Sequence, residues 1–232
     1  MYYGYYDWTY LLVILGAVIS GIASLRVQST YKKYSQVSNA QGYTSNQVAE
    51  RILHAAGIYD VRIERISGNL TDHYSPKEKV LRLSDAVYGK TSVAAIGVAA
   101  HECGHAIQHQ ENYMPLSLRS LSVPLANVGS WISWPVIILG IIIGYTPLAY
   151  LGVILFTFVV AFQIITLPVE FNASSRALAI LEQDHILIDN ENKDAKKVLK
   201  AAAMTYVAAL FATILQLLRL ILIVTGGGRR RD

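Results

Sequence analysis

The sequence is short of two things that small stable domains rely on. It has one cysteine, Cys103, in 232 residues, so no internal disulfide can form and a disulfide scaffold is excluded. Charged residues make up 16% of the chain, where soluble domains carry about 25%. The shortage is concentrated. Between Arg119 and Arg176 the single charged residue is Glu170, which leaves Ser120 to Val169 as an uncharged run of 50 residues and Trp8 to Leu25 as another of 18. A bilayer core about 30 Å thick takes roughly 20 apolar residues per helical crossing. The long run therefore holds two crossings and the short one holds one, which argues against a soluble globular fold. With 53% hydrophobic residues, 16 Gly and 6 Pro, the chain is neither disordered nor collagen-like. The pI near 9.1 does not point to nucleic acid, because membrane topology accounts for the basic residues.

Five stretches follow from this distribution. Residues 1–25 form an N-terminal anchor: the apolar segment Thr9 to Leu25 follows an aromatic cluster, YYGYYDWTY, suited to the headgroup interface. A cleaved signal peptide fits poorly, since no basic segment precedes the apolar core and Arg26, Lys32 and Lys33 follow it. Residues 26–119, with 11 basic and 8 acidic side chains, are the main extramembrane region. There Ser45 to Ala56 has Val48, Ile52, Leu53 and Ala56 at helical spacing before Gly57. Val61 to Ile66 alternates as a strand, Asp72 to Pro76 reads as a turn, Val80 to Leu83 is a second short strand, and Thr91 to His109 is strongly helical. Residues 120–168 are a membrane hairpin, Trp131 to Tyr145 and Leu148 to Leu167 about a turn at Thr146-Pro147, with the first helix expected to start earlier, within Leu121 to Gly129. Residues 169–204 restore charge. Residues 205–232 hold a fourth span, Tyr206 to Val224, interrupted by Arg219, which also suits an interfacial helix, and end in the basic tail Arg229-Arg230-Arg231.

If the hairpin crosses twice, Arg26 to Arg119 and Arg176 to Lys200 share one side, which holds 16 of the 20 basic residues. The positive-inside rule makes that side cytoplasmic. A spanning last helix sets the three tail arginines against this majority.

The chemistry centres on His101-Glu102-Cys103-Gly104-His105. Histidines four apart on a helix lie one above the other, so both imidazoles reach a single ion, and the glutamate beside them is placed to take a proton from water. With 6 His and 8 Glu in the chain, an H-E-x-x-H run arises by chance roughly 0.005 times. Zinc needs a third protein ligand and leaves its fourth position open. Position 111 is Glu and position 108 is Gln, which disfavours a third histidine in the extended H-E-x-x-H-x-x-G-x-x-H pattern. His109 lies one turn too far along the helix and reads as a solvated helix-end histidine. Glu170 is the preferred third ligand, opening a helix just after Pro168, with Glu111, Glu182 and Asp184 in reserve. Candidates for stabilising an oxyanion are His73, Tyr74, His185, Tyr206 and Arg176. The Val80 to Leu83 strand is a candidate edge for adding an extended substrate. Cys103, on the other side of the helix from the histidines, is expected to be a small buried residue.

HECGHAIQH, preceded by DHYSPKEKVLRLS and followed by LPVEFNASSRAL between membrane spans, resembles the neutral zinc metallopeptidase family of the YugP type over nearly the whole chain. The layout is similar to that of gluzincins. The resemblance implies a mainly α integral membrane protein with about four transmembrane helices and a small α+β zincin-like metallopeptidase domain. It implies zinc held by His101, His105 and Glu170, with Glu102 as catalytic base. Where many membrane gluzincins carry an orienting Asp, this chain has Ser174, so the orienting role passes to Asn172 or Arg176. The expected activity is endopeptidase cleavage of membrane-associated or unfolded proteins at the cytoplasmic membrane surface, with the lipid bilayer and protein substrates as partners and no nucleic acid. Catalytic roles are expected for Glu102, His73 and Arg176. The competing function is a noncatalytic zinc-binding membrane scaffold. A metal inside the bilayer is disfavoured, because Gln108, Gln110 and Glu111 flank the motif.

Overall fold

The computed structural model describes residues 7–228. Tyr2, Tyr3, Tyr5 and Tyr6 of the aromatic cluster and Arg229 to Arg231 of the basic tail lie outside the described residues. Among the described residues, six helices and three strands run in the order α1 (Tyr10–Tyr34), α2 (Ser45–Ala55), β1 (Arg62–Ile66), β2 (His73–Ser75), β3 (Val80–Ser84), α3 (Val93–Gln110), α4 (Met114–Ile142), α5 (Thr146–Gln183) and α6 (Asn190–Gly228). The protein is thus mainly helical with a small sheet. Among the described residues, α1, α4, α5 and α6 are each long and apolar enough to cross a membrane. The chain divides into two compact units. One comprises residues through Ala23, Leu118–Thr166 and those from Thr205, and the other comprises Ser24–Ser117 and Leu167–Met204.

In the first unit, large apolar side chains stand exposed, among them Leu121, Trp131 at 81% and Ile142 at 75%. Patches on this scale need lipid rather than water around them. Small residues let the helices approach: a Cβ on Gly16 would meet Ala212 at 3.1 Å, and one on Gly129 would meet Leu155 O at 2.5 Å. The hairpin differs from expectation at its turn. Thr146 and Pro147 already belong to α5, and the chain reverses one step earlier, through Ile143, Gly144 at φ +70 and Tyr145. Proline is well suited to a helix's first turn, where its missing N–H costs nothing. Arg219 lies within the continuous α6, so it marks no separate interfacial helix. It is 8% exposed, with Nη2 3.6 Å from Asp7 Oδ2 and its guanidinium 4.2 Å from the centre of the Tyr10 ring. A charge in this apolar setting persists because it is paired.

The second unit packs α2, α3 and parts of α5 and α6 around the sheet, with Leu81, Leu83, Ile96 and Leu181 fully buried. Thr44 opens α2 with its N–H donated to Gln47 Oε1 at 2.9 Å, and Ser92 caps α3 by accepting from Ala95 N. Gly57 ends α2 at φ +73, a conformation costly for other residues. The strand order is β1-β3-β2, parallel between β1 and β3 and antiparallel between β2 and β3. Two expectations change here. The segment read as a turn at Asp72 to Pro76 contains strand β2. The Val80 to Leu83 strand is central, so its edges are occupied and it cannot accept a substrate strand; β2 and β1 are the edges. A third change concerns Glu170, which does not open a helix. Pro168 is inside α5, where a proline in a long apolar helix is tolerated when neighbouring groups take up the freed carbonyl. At 1.5 Å per residue α5 is roughly 57 Å long, well beyond a bilayer core.

Candidate metal centre

His101 and His105 come from α3 and Glu170 from α5, all within the second unit. Gly104, between the histidines, is what lets α5 come close: a Cβ there would sit 2.6 Å from Ala173 O and 3.1 Å from Ala173 Cα. Ala173 is one turn beyond Glu170, so the same contact brings that carboxylate to the histidine face.

Among the described residues, His101, His105 and Glu170 form the group whose ligand atoms all lie within 4.8 Å of one another. Glu170 Oε2 is 3.4 Å from His101 Nε2 and 3.6 Å from His105 Nε2. Charge-assisted N–H···O bonds are about 2.7–2.9 Å, so these are not direct hydrogen bonds. Tetrahedral zinc with ligand bonds of about 2.0–2.2 Å sets its ligand atoms roughly 3.3–3.6 Å apart. The two spacings to Glu170 and the two-imidazole, one-carboxylate donor set both fit zinc. The rings meet edge to face, centroids 4.7 Å apart at 83°, and Glu170 is 2% exposed.

The outer ring nitrogens explain how the inner ones are presented. Gln108, fully buried, donates Nε2 to Val169 O and to Asn172 Oδ1, both at 2.9 Å. A carbonyl can only accept, so the amide's orientation is fixed and Gln108 Oε1 faces His105 Nδ1 at 3.0 Å. His105 must then carry its proton on Nδ1, leaving the Nε2 lone pair for a metal. His101 Nδ1 meets Ser174 Oγ at 3.1 Å, so Ser174 is the side chain on the outer nitrogen of this ring. Asn172 Oδ1 also accepts from Arg176 Nε at 2.8 Å, and Arg176 Nη1 lies 2.7 Å from Glu111 Oε2. Burial opposes protonation of His105, but the field of Glu170 and Glu102 outweighs it and holds its pKa above the ordinary histidine value. That local excess of negative charge is what a bound cation would offset.

Glu102 is 8% exposed and its Oε2 accepts from Tyr74 N at 3.0 Å. His73 is the neighbouring residue on β2, its Nδ1 2.9 Å from Thr71 O. Glu111, a reserve ligand, spends its carboxylate on Arg176, and Glu182 and Asp184 are not in the cluster. His109 is the expected helix-end residue, in the last turn of α3 and half-buried, and its Nδ1 is 2.9 Å from the Tyr74 hydroxyl. Cys103 is fully buried with Sγ 3.6 Å from Ala49 O, and burial pushes its thiol pKa up. Gln108 and Gly104 are not among the site residues read from the sequence, because the partners that give them their roles, Val169 and Ala173, lie on α5.

Residues 9–225 match the sequence profile of the family described as "Putative neutral zinc metallopeptidase". The chain belongs to this family. It is also 45% identical over 216 residues, covering 93% of this chain and 96% of the relative, to the "Putative membrane protease YugP" of Bacillus subtilis (strain 168). No solved structure matches. Membership of a zinc peptidase family agrees with the metal that the donor spacing fits, and the four apolar helices make this member a multi-pass membrane protein.

Proposed function

We propose that the protein is a membrane-bound zinc endopeptidase with a zincin-like arrangement, in which His101, His105 and Glu170 hold zinc and Glu102 is the general base. The observation that carries this reading is the cluster of half-buried His101 with buried His105 and Glu170, with Glu102 on the same helix as the two histidines. Held by His101, His105 and Glu170, zinc would supply the acidity of a bound water and the polarisation of a peptide carbonyl. Glu102 accepts the proton of the attacking water and returns it to the departing amine. Because Tyr74 N–H occupies Oε2, proton transfer falls to Oε1. Gln108 holds His105 in the tautomer that binds metal, and Ser174 holds the outer nitrogen of His101.

The outer side of β2 is where an extended peptide fits. Tyr74 pairs with Leu81 on β3 and its N–H is turned to Glu102, so the edge strand β2 runs beside the base and a substrate strand added along it lies within reach of Glu102. Within this reading, His73 flanks Tyr74 as the donor for the developing oxyanion, and Arg176 acts in the orienting network through Asn172. The catalytic unit faces the cytoplasm, the side that carries 16 of 20 basic residues, and its substrates are membrane-associated or unfolded proteins.

Glu102→Gln removes the base but none of the ligands. It is expected to retain one zinc per chain and to lose cleavage of casein by at least about 100-fold. Equal cleavage by both forms contradicts the assignment. A noncatalytic scaffold needs the ligands but no base, so absence of cleavage by the zinc-loaded wild type favours that alternative.

A further inference from the structure

Tyr74 is tied to α3 at two points. Its N–H donates to Glu102 Oε2 at 3.0 Å, and its hydroxyl lies 2.9 Å from His109 Nδ1, with the two rings 5.9 Å apart between centroids. Glu102 and His109 are seven residues apart, nearly two helical turns, and so lie within about 20° of each other around the helix. One aromatic residue thus spans two turns along a single face of α3. The strand that carries it is short. β2 is three residues long and, among the described residues, pairs with β3, while Asp72 just before it accepts from Ser84 N and Ser84 Oγ; strands this short at a sheet edge are marginal alone.

We propose that His109 is a positioning residue for Glu102, acting through Tyr74. The His109 to hydroxyl bond fixes β2 against α3, and the fixed strand keeps the Tyr74 N–H on one oxygen of the carboxylate. The terminal torsion of a glutamate is broad and roughly twofold, so this N–H selects which oxygen faces the cleft. Removing the tie leaves Glu102 chemically intact but poorly aimed. His109 is one turn beyond His105 and holds no metal, so the effect does not pass through the ligands. The inference rests on the reading of Glu102 as base, and one arm of its test is independent of activity.

The experiment uses the full chain in lipid nanodiscs, loaded with zinc, and a fluorogenic casein-derived peptide. Tyr74→Phe and His109→Ala are each expected to lower kcat about three- to tenfold, the scale of one net hydrogen bond, with KM within about twofold and zinc stoichiometry unchanged. The double variant should fall no further than either single one, because both remove the same bond. His109→Gln, whose amide oxygen can accept from the Tyr74 hydroxyl, should recover most of the loss. Independently of catalysis, the Tyr74 amide should exchange with deuterium faster in Tyr74→Phe and His109→Ala, by a similar factor in both. Losses that multiply in the double variant, loss of zinc, or Tyr74 amide exchange at the wild-type rate would each overturn the proposal. If wild type cleaves nothing, the endopeptidase reading fails and the exchange measurement decides the His109 to Tyr74 tie by itself.

Discussion

Gly104→Ala is the smallest substitution that reaches packing and metal site together. The added Cβ would lie 2.6 Å from Ala173 O, where real contacts essentially never fall below 3.0 Å and ordinary ones begin near 3.4 Å. Since the opposing atom is backbone, α3 and α5 must part by about 0.4–0.8 Å. Glu170, three residues before Ala173 on the same helix, moves with it. Metal-ligand distances tolerate only about ±0.2 Å, so a shift of this size spoils a donor spacing that fits zinc. Overpacking should cost about 1–3 kcal/mol of stability, and zinc affinity should fall roughly 10–100-fold, as when a metal site's supporting contacts are lost. Chelator competition measures the second quantity and thermal unfolding the first. Gly21→Ala is the control, since a Cβ there meets nothing within 4 Å. Wild-type zinc affinity in Gly104→Ala would show that the α3 to α5 approach does not set the ligand spacing.

Gln108→Ala removes the group that fixes His105's tautomer and should weaken zinc about 10–100-fold while leaving the fold largely intact; unchanged affinity would mean that the imidazole needs no such support. Arg219→Leu leaves Asp7 without its cation in the first unit, so the melting temperature should drop with zinc content unchanged. A lower zinc content in Arg219→Leu would refute the separation of the two effects.

What the sequence revealed and what it hid divide along the range of the interactions. The four long apolar helices and the histidine pair were legible because their signals are local: uncharged runs of span length, and spacing four apart on one helix. Glu170 stood out as a lone carboxylate after 50 uncharged residues, and the fold brings it to the histidines. Strand β2 was read as a turn because three residues carry no periodicity, and its pairing with β3 is set by distant sequence. For the same reason nothing marked Val80 to Leu83 as the central strand. Pro168 suggested a helix start, but packing along α5 overrides that local signal. Ser174, Gln108 and the second contact of Tyr74 become visible only when α3, α5 and the sheet are placed together, because each role is defined by a partner between 35 and 73 residues away.

The central claim is that zinc is held by two imidazoles from α3 and the Glu170 carboxylate from α5. Zinc-edge X-ray absorption on the purified wild type and on Glu170→Ala tests it most directly. The account predicts one zinc per wild-type chain, with two imidazole nitrogens and a carboxylate oxygen at about 2.0–2.2 Å, and a variant that loses the carboxylate oxygen together with most of its zinc. Full zinc occupancy with an unchanged ligand shell in Glu170→Ala would contradict it.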